Sequence, residues 1–413
     1  WDHVEDPERA AGVPRARLLE RAGVAHRRGD SYERSAALLR AAVAASPGDD
    51  AASRHQRAGS LLQLAAVMWQ QGGQDAALDV SAESLALLHD EQPGLHRARV
   101  LAWRAKRRML QGRYREAIQA ARETAPIAAA LEDHAEGDVR NALGVALIST
   151  GDVEAGRTEL RAALRIARDG DRVHDISSAW VNHADAMHLI GRSAEAVDLT
   201  LEAVAELDRR GARRDLWVEL ALGEFAFAAG DWDLARAHLR QPTRGLEGRR
   251  LVNLLIRRTV IALADGRDDD AAKDLARIAP LLDGVVEPQF LGPYAAAAGE
   301  LARRCGDTAA GRAVIDEALD RMEFCTEDAA RLAEAAAVGV ALEADVAVRA
   351  RDRGEDPIAA VDRASALAER VRAAAEPHRP VERALPTRTR LPRGSGWPAG
   401  VVPPSRHSSP RGR

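Results

Sequence analysis

Apolar residues recur every three or four positions along most of this chain, and short polar turns that contain glycine interrupt them. Segments 141–148 and 194–204 illustrate the pattern, because each carries aliphatic side chains at the spacing of one helix face. The spacing predicts amphipathic α-helices joined by tight turns. The turn glycines recur at intervals of 36 to 48 residues, which indicates an internal repeat of period near 40. They are Gly29, Gly72, Gly112, Gly151, Gly191, Gly230, Gly266, Gly306 and Gly354.

Small residues flank each turn glycine at two fixed offsets. Eight of the nine residues that stand seven positions before a turn glycine are Gly or Ala, and so are eight of the nine that stand five positions after it. We expect small residues where two antiparallel helices approach most closely, because bulky side chains would push them apart. The glycine itself is expected to end the first helix in a left-handed conformation. The predicted turn and close-packing positions are Gly112, Ala117, Gly144, Gly151, Gly156, Ala184, Gly191, Ala196, Gly223, Gly230, Ala235, Gly299, Gly306 and Gly311.

These patterns predict an all-α chain of about nine αα-hairpins, which stack because one hairpin cannot bury its apolar face alone. The turns Gly112–Ala117 and Gly230–Ala235 resemble the tetratricopeptide repeat, and so do the Leu-Gly pairs at 143–144 and 222–223. The period near 40 departs from the 34 residues of that family. The resemblance implies a right-handed superhelix in which the first helix of each hairpin lines the concave face.

Long helices, irregular loops, the acidic Ala- and Arg-rich texture and the phrase Glu287-Pro288-Gln289-Phe290 make the chain similar to the repeat regions of actinobacterial LuxR-family regulators. In those regulators a signal-transduction ATPase precedes the repeats and a helix-turn-helix follows them. The sequence carries neither part, since neither Lys106 nor Lys273 follows a glycine as a phosphate-binding loop requires.

The resemblance implies a non-catalytic sensor or scaffold that binds a protein partner or an inducer. It would be the middle portion of an ATP-dependent transcriptional regulator. The alternative is a stand-alone tetratricopeptide adaptor that mediates protein–protein interaction.

Composition and charge narrow the function classes further. The chain is 46% hydrophobic but only 3% aromatic, which favours close-packed helices over a β-sandwich, and no apolar run is long enough to span a membrane. The two cysteines, Cys305 and Cys325, form no metal-binding pair. Residues 1–376 hold 51 basic and 62 acidic residues, so the repeat body is expected to repel nucleic acid. We therefore expect a cytoplasmic protein that is not an enzyme and has no cofactor.

His183, Asp185 and His188 cluster on one predicted helix, yet offsets of two and five point them around that helix, so we expect no metal site. The tetratricopeptide resemblance implies a binding groove instead. Its expected ligand is a protein or peptide, with a small-molecule inducer as a second kind; no membrane contact is expected, and self-association stays open. The groove positions that it implies are Arg99, Lys106, Asn141, Asn182, Asp185, His188 and Glu224.

Three regions are expected along the chain. Residues 1–14 would lead in from a preceding region, and residues 15–375 would form the repeat domain. Residues 376–413 are rich in proline and arginine and have no helical period. This tail is open to three interpretations: a disordered segment, DNA read in the wrong frame, or a basic arm that binds nucleic acid or an acidic partner.

Overall fold

The computed structural model describes residues 7–29, 31–88, 94–212, 215–325 and 327–374, which fold into nineteen α-helices with one short 3-10 turn and no strand. This confirms the all-α prediction. The helices are α1 (Pro7–Ala11), α2 (Arg15–Arg28), α3 (Tyr32–Ala44), α4 (Ala51–Gln70), α5 (Gln74–Ala86), α6 (Leu95–Leu110), α7 (Tyr114–Ala130), α8 (Ala135–Ser149), α9 (Val153–Asp169), α10 (Val173–Leu189), α11 (Ser193–Arg209), α12 (Leu216–Ala229), α13 (Trp232–Leu239), α14 (Gly248–Ala264), α15 (Asp268–Ile278), α16 (Pro288–Cys305), α17 (Thr308–Cys325), α18 (Ala329–Asp352) and α19 (Ile358–Ala374).

From α2 onward the described helices pair into nine hairpins, and a predicted turn glycine lies between the two helices of each. Eight of these glycines have φ between +70° and +98°, where a side chain would strain the backbone. The left-handed expectation is wrong at Gly29, whose φ is −92°. Gly29 directly follows α2 and still donates its N–H to Ala25 O at 3.1 Å, so it ends the helix without a left-handed conformation.

Small residues bring the helices of a hairpin into direct backbone contact. In the α8–α9 hairpin, a Cβ on Gly156 would lie 2.5 Å from Gly144 O, and a Cβ on Gly144 would lie 2.5 Å from Leu160 Cγ. Ala184 and Ala196 are fully buried in the α10–α11 hairpin. The sequence folds this way locally because only Gly and Ala leave room for such an approach.

The first helices of successive hairpins also pack on one another and form a continuous inner layer. Helix α6 packs on α8, α8 on α10, α14 on α16, and α16 on α18. The second helices form the outer layer, and the apolar core runs between the two. The described chain is therefore a helical-repeat superhelix, and its inner layer lines a lumen.

Two residues that lie 218 positions apart join successive turns of the superhelix. The carboxylate of Glu287, which is fully buried just before α16, accepts a hydrogen bond of 2.7 Å from Trp69 Nε1 and one of 3.2 Å from Gln74 Nε2. Arg249 Nη2, at the start of α14, lies 3.0 Å from the same oxygen. We call Trp69, Gln74, Arg249 and Glu287 the inter-turn clasp.

A second contact between the turns lies one repeat further along. Gly112 O accepts a 2.7 Å hydrogen bond from Glu327 N, and Tyr114 OH donates to Asp328 Oδ2 at 3.0 Å. Since both contacts join residues between five and six repeats apart, the superhelix returns over its own start after that many repeats. The turn regions of the α4–α5 and α6–α7 hairpins thereby contact the loops that precede α16 and α18.

The expected tail at 376–413 lies outside the described residues, as do residues 1–6 of the expected lead-in. Helix α2 begins at Arg15 and α19 ends at Ala374. None of the helices described here combines the length and the apolar character that crossing a membrane requires.

Candidate ligand-binding lumen

Four first helices bring charged side chains together inside the superhelix. Arg331 Nη2, on α18, lies 3.7 Å from Asp185 Oδ1, on α10. Arg257, on α14, forms an ion pair with Glu224, on α12. The side chains of Asp185 and Glu224 keep 31% and 19% of their exposure, so solvent reaches them. The lumen cluster is defined as these charged groups and their two neighbours on α10 and α18: Asp185, His188, Glu224, Arg257, Arg331 and Glu334.

Burial disfavours charge on several members of the lumen cluster. It raises the pKa of Asp185 to about 6 even though Arg331 opposes the shift. It also raises the pKa of Glu334 to about 7, with the negative charges of Glu224 and Asp328 adding to the effect. His188 has its pKa lowered to about 4 by burial, so it is neutral at pH 7. Because the charges of these groups act on one another, a charged ligand among them would change their ionisation.

Glu224 stays ionised in the same surroundings. Burial by itself would raise its pKa, but the positive charges of Arg257 and Arg331 and the hydrogen bond from Arg257 act with His188 to hold the pKa below its usual value. Arg257 also donates hydrogen bonds to Asn253, one turn earlier on α14. Glu224 and Arg257 therefore balance each other's charge.

Arg331 is the least satisfied member of the lumen cluster. It is 7% exposed, and its Nε has no hydrogen-bond partner within the described residues. The charges of Asp185, Asp328, Glu334 and Glu224 surround it and raise its pKa, although burial opposes them. These carboxylates keep the guanidinium charged. The Asp185 oxygen, at 3.7 Å from Nη2, is nevertheless too far away to accept a hydrogen bond.

The structure brings only part of the implied groove set together. Asp185, His188 and Glu224 meet in the lumen cluster. Arg99 donates to Asp133 at 2.8 and 3.2 Å, and Lys106 pairs with Asp138 at 3.3 Å. Asn141 is 3% exposed and lies 3.5 Å from Ser178 Oγ, while Asn182 is half-buried. The groove positions therefore divide between the lumen cluster and local polar contacts.

Sequence reasoning missed Arg257, Arg331 and Glu334. Asp185 and Glu224 share one register, six residues before a turn glycine, and the repeat pattern points to that register. Arg331 and Glu334 stand 23 and 20 residues before Gly354, because α18 is 24 residues long. The other first helices begin 14 to 21 residues before their turn glycines, so the register of Arg331 has no equivalent in them and that of Glu334 has one in α4 alone. The repeat pattern therefore gives no signal for these two residues.

His183 faces away from the lumen cluster. It is 5% exposed, and burial together with Arg157 and Arg161 lowers its pKa to about 4. Among the residues that the structure describes, no three His, Cys, Asp or Glu side chains converge closely enough to hold a metal ion. The offsets along α10 thus place His183 and His188 in different environments.

Replacing Glu334 with glutamine is expected to stabilise the fold at alkaline pH. A carboxyl whose pKa rises on folding binds its proton more tightly in the native state, so stability falls as pH rises from about 4.5 to about 7. Glu334→Gln removes that loss and should raise the free energy of unfolding at pH 8 by about 1–3 kcal/mol. The gain should shrink towards pH 5. Urea unfolding at both pH values measures it.

Glu202→Gln is the matched control, because Glu202 is exposed on the outer helix α11. It should leave the free energy of unfolding close to that of wild type. A Glu334→Gln protein that is less stable than wild type at pH 8 would contradict the expected burial of charge.

Comparison with known proteins identifies structures of similar fold but assigns the chain to no family. No protein-family model matches the chain, and no curated protein matches it. The crystal structure of a Rap protein complexed with competence and sporulation factor matches 70% of this chain and 80% of its own, with 14% identity and a TM-score of 0.55. A tetratricopeptide repeat protein from Parabacteroides merdae matches 67% of this chain and 97% of its own, with 16% identity and a TM-score of 0.42. The likeness to the Rap structure, with its TM-score above 0.5, supports the all-α helical-repeat fold alone.

Proposed function

We propose that this chain is a non-catalytic helical-repeat sensor that binds a peptide or protein partner inside its lumen. The observation that carries the proposal is the lumen cluster, where Arg331 is nine-tenths buried without a hydrogen bond from its Nε. A buried charge that lacks its hydrogen bonds destabilises a fold. Arg249 lies 3.0 Å from the Glu287 carboxylate in the inter-turn clasp, whereas Arg331 approaches the Asp185 carboxylate only to 3.7 Å, and this looser contact favours a binding role.

Of the two solved structures compared above, the Rap structure has the higher TM-score, and it supports the same kind of ligand. That structure is of a Rap protein in complex with competence and sporulation factor. The low identity means that its ligand does not carry over to this chain residue by residue. A small-molecule inducer remains the second kind of ligand for the same lumen.

We further propose that the chain is the sensor portion of an ATP-dependent LuxR-family transcriptional regulator. The phrase 287–290 that supports this resemblance includes Glu287, the central residue of the inter-turn clasp. A ligand that enters the lumen would alter the packing of the turns, and a neighbouring ATPase could respond to that change. ATP binding itself would belong to a separate module, since the sequence has no phosphate-binding loop.

The flanking DNA, read in all three frames, separates the regulator from the adaptor. A phosphate-binding loop with its lysine upstream and a helix-turn-helix downstream would select the regulator. Stop codons next to unrelated genes would select a stand-alone adaptor.

Site-specific photo-crosslinking tests binding in the lumen. Asn182 lies one turn from Asp185 on the same face of α10, so a photo-crosslinking residue at Asn182 should capture the ligand in cells. The same residue at Asp198, exposed on α11, is the matched control. We expect an adduct of defined mass at Asn182 and none at Asp198. Adducts at Asp198 alone, or equally at both positions, would contradict lumen binding.

A further inference from the structure

The lumen cluster has more carboxylates than cations after its internal pairs are assigned. Glu224 is paired with Arg257. Asp328, at the start of α18, accepts hydrogen bonds from Tyr114 OH and from Arg331 N. Asp185 and Glu334 are left to share the single guanidinium of Arg331. This part of the lumen therefore carries a surplus negative charge when both carboxyls are ionised, and it attracts a cation.

Arg331 places a second requirement on any ligand. Its side chain is 8% exposed, and its Nη2 approaches Asp185 Oδ1 only to 3.7 Å, beyond hydrogen-bond distance. Its buried Nε has no hydrogen-bond partner among the described residues, and a buried N–H that lacks an acceptor is costly. The site therefore favours a ligand that presents a cationic donor and a neutral or anionic acceptor close together.

We propose that the lumen cluster binds the amino-terminal residue of a peptide, with its ammonium between Asp185 and Glu334 and its carbonyl oxygen at Arg331. This assignment deepens the proposed function and rests on it. In an amino-terminal residue the nitrogen and the carbonyl oxygen are about 3 Å apart, which suits the short span between Asp185 and Arg331. A lysine side chain has an ammonium but no adjoining acceptor. A simple anion would meet Arg331 but would be repelled by the two carboxylates.

The ionisation of the cluster agrees with a cationic ligand. Burial raises the pKa values of Asp185 and Glu334 even though the positive charge of Arg331 opposes the shift at both carboxyls. An ammonium placed between them would lower both pKa values and would hold both groups ionised. Neutral His188, beside them on α10, adds no competing positive charge at pH 7.

Fluorescence anisotropy with peptide pools tests the assignment. The probe is a pool of heptapeptides of random sequence with a fluorophore at the carboxyl end, prepared with a free or an acetylated amino terminus. The whole chain should bind the free pool at least about ten-fold more tightly than the acetylated pool, which corresponds to one well-placed charge interaction. The double variant Asp185→Asn, Glu334→Gln should bind both pools alike. It should still fold, because both changes keep side-chain shape and because Asp328 and Glu224 still face the buried Arg331.

The matched control is Asp198→Asn, Glu202→Gln, which changes two exposed carboxylates of the outer helix α11. It should keep the preference for the free amino terminus. The assignment is overturned if wild type binds both pools alike, if it binds neither, or if the double variant keeps the preference. A crosslinked adduct at Asn182 together with equal binding of the pools would leave the proposed function standing and reject the amino-terminal assignment alone.

Discussion

Replacing Glu287 with alanine is expected to lower the free energy of unfolding by about 3–5 kcal/mol, because the change leaves a buried cation without its anion. Glu287 is fully buried, and Arg249, 3.0 Å from its carboxylate, is 8% exposed. Trp69 Nε1 and Gln74 Nε2 would lose their acceptor as well. Arg107 would add to the cost. Its guanidinium and that of Arg249 both lie over the Trp69 ring, at 5.1 and 5.4 Å, so without Glu287 the two positive charges would repel each other with no anion between them.

Two measurements test the role of the inter-turn clasp. Urea unfolding gives the loss of stability, and small-angle X-ray scattering should report a larger radius of gyration because successive turns separate. Glu247→Ala is the control: Glu247 is exposed in the loop before α14 and makes no side-chain cap there. It should be nearly neutral. An unchanged radius of gyration in Glu287→Ala would mean that other contacts hold the turns together.

Replacing Gly156 with alanine is expected to destabilise the protein by about 1–3 kcal/mol, although alanine is the better helix former. The new Cβ would lie 2.5 Å from Gly144 O and 3.0 Å from Ile148 N, and both are backbone atoms. Backbone cannot rotate away as a side chain can, so α8 and α9 must move apart. The apolar contacts along the α8–α9 hairpin would weaken with that movement.

Gly59→Ala is the opposite case and serves as the control. Gly59 lies within α4, where the only atom near a new Cβ is Glu20 Oε2, at 3.8 Å. The substitution should raise stability by about 0.5–1 kcal/mol, because glycine weakens a helix interior. Thermal unfolding followed by circular dichroism compares the two variants. A stabilised Gly156→Ala protein would show that the hairpin tolerates a wider spacing.

The hairpins could be predicted from sequence because their causes are local. A helix is held by hydrogen bonds between residues four apart, and a tight turn needs a left-handed residue at one position, as at Gly230 with φ of +94°. The small residues at 144 and 156 indicate close approach within one hairpin for the same reason. Each of these signals occurs within a single repeat and recurs in the next.

The candidate site could be predicted only where it follows the repeat. Asp185 and Glu224 occupy the same register in neighbouring repeats, so a family pattern points to both. Lys106 occupies that register too, yet it pairs with Asp138. Arg331 reaches Asp185 from a helix four repeats later, and its position in the long α18 has no equivalent elsewhere.

Sequence by itself thus determined the number of hairpins and the positions of their turns, while the meeting of distant repeats was decided by tertiary structure. Glu287 and Trp69 are 218 residues apart, and their contact depends on where the superhelix returns over its start. Each repeat adds a small rotation that its side-chain packing sets, and the rotations accumulate over five to six repeats. A slight change in that angle would bring other residues together. No local pattern of apolar and polar positions specifies the total rotation over five to six repeats. The inter-turn clasp and the pairing of Arg331 with Asp185 therefore form only when all the repeats are packed.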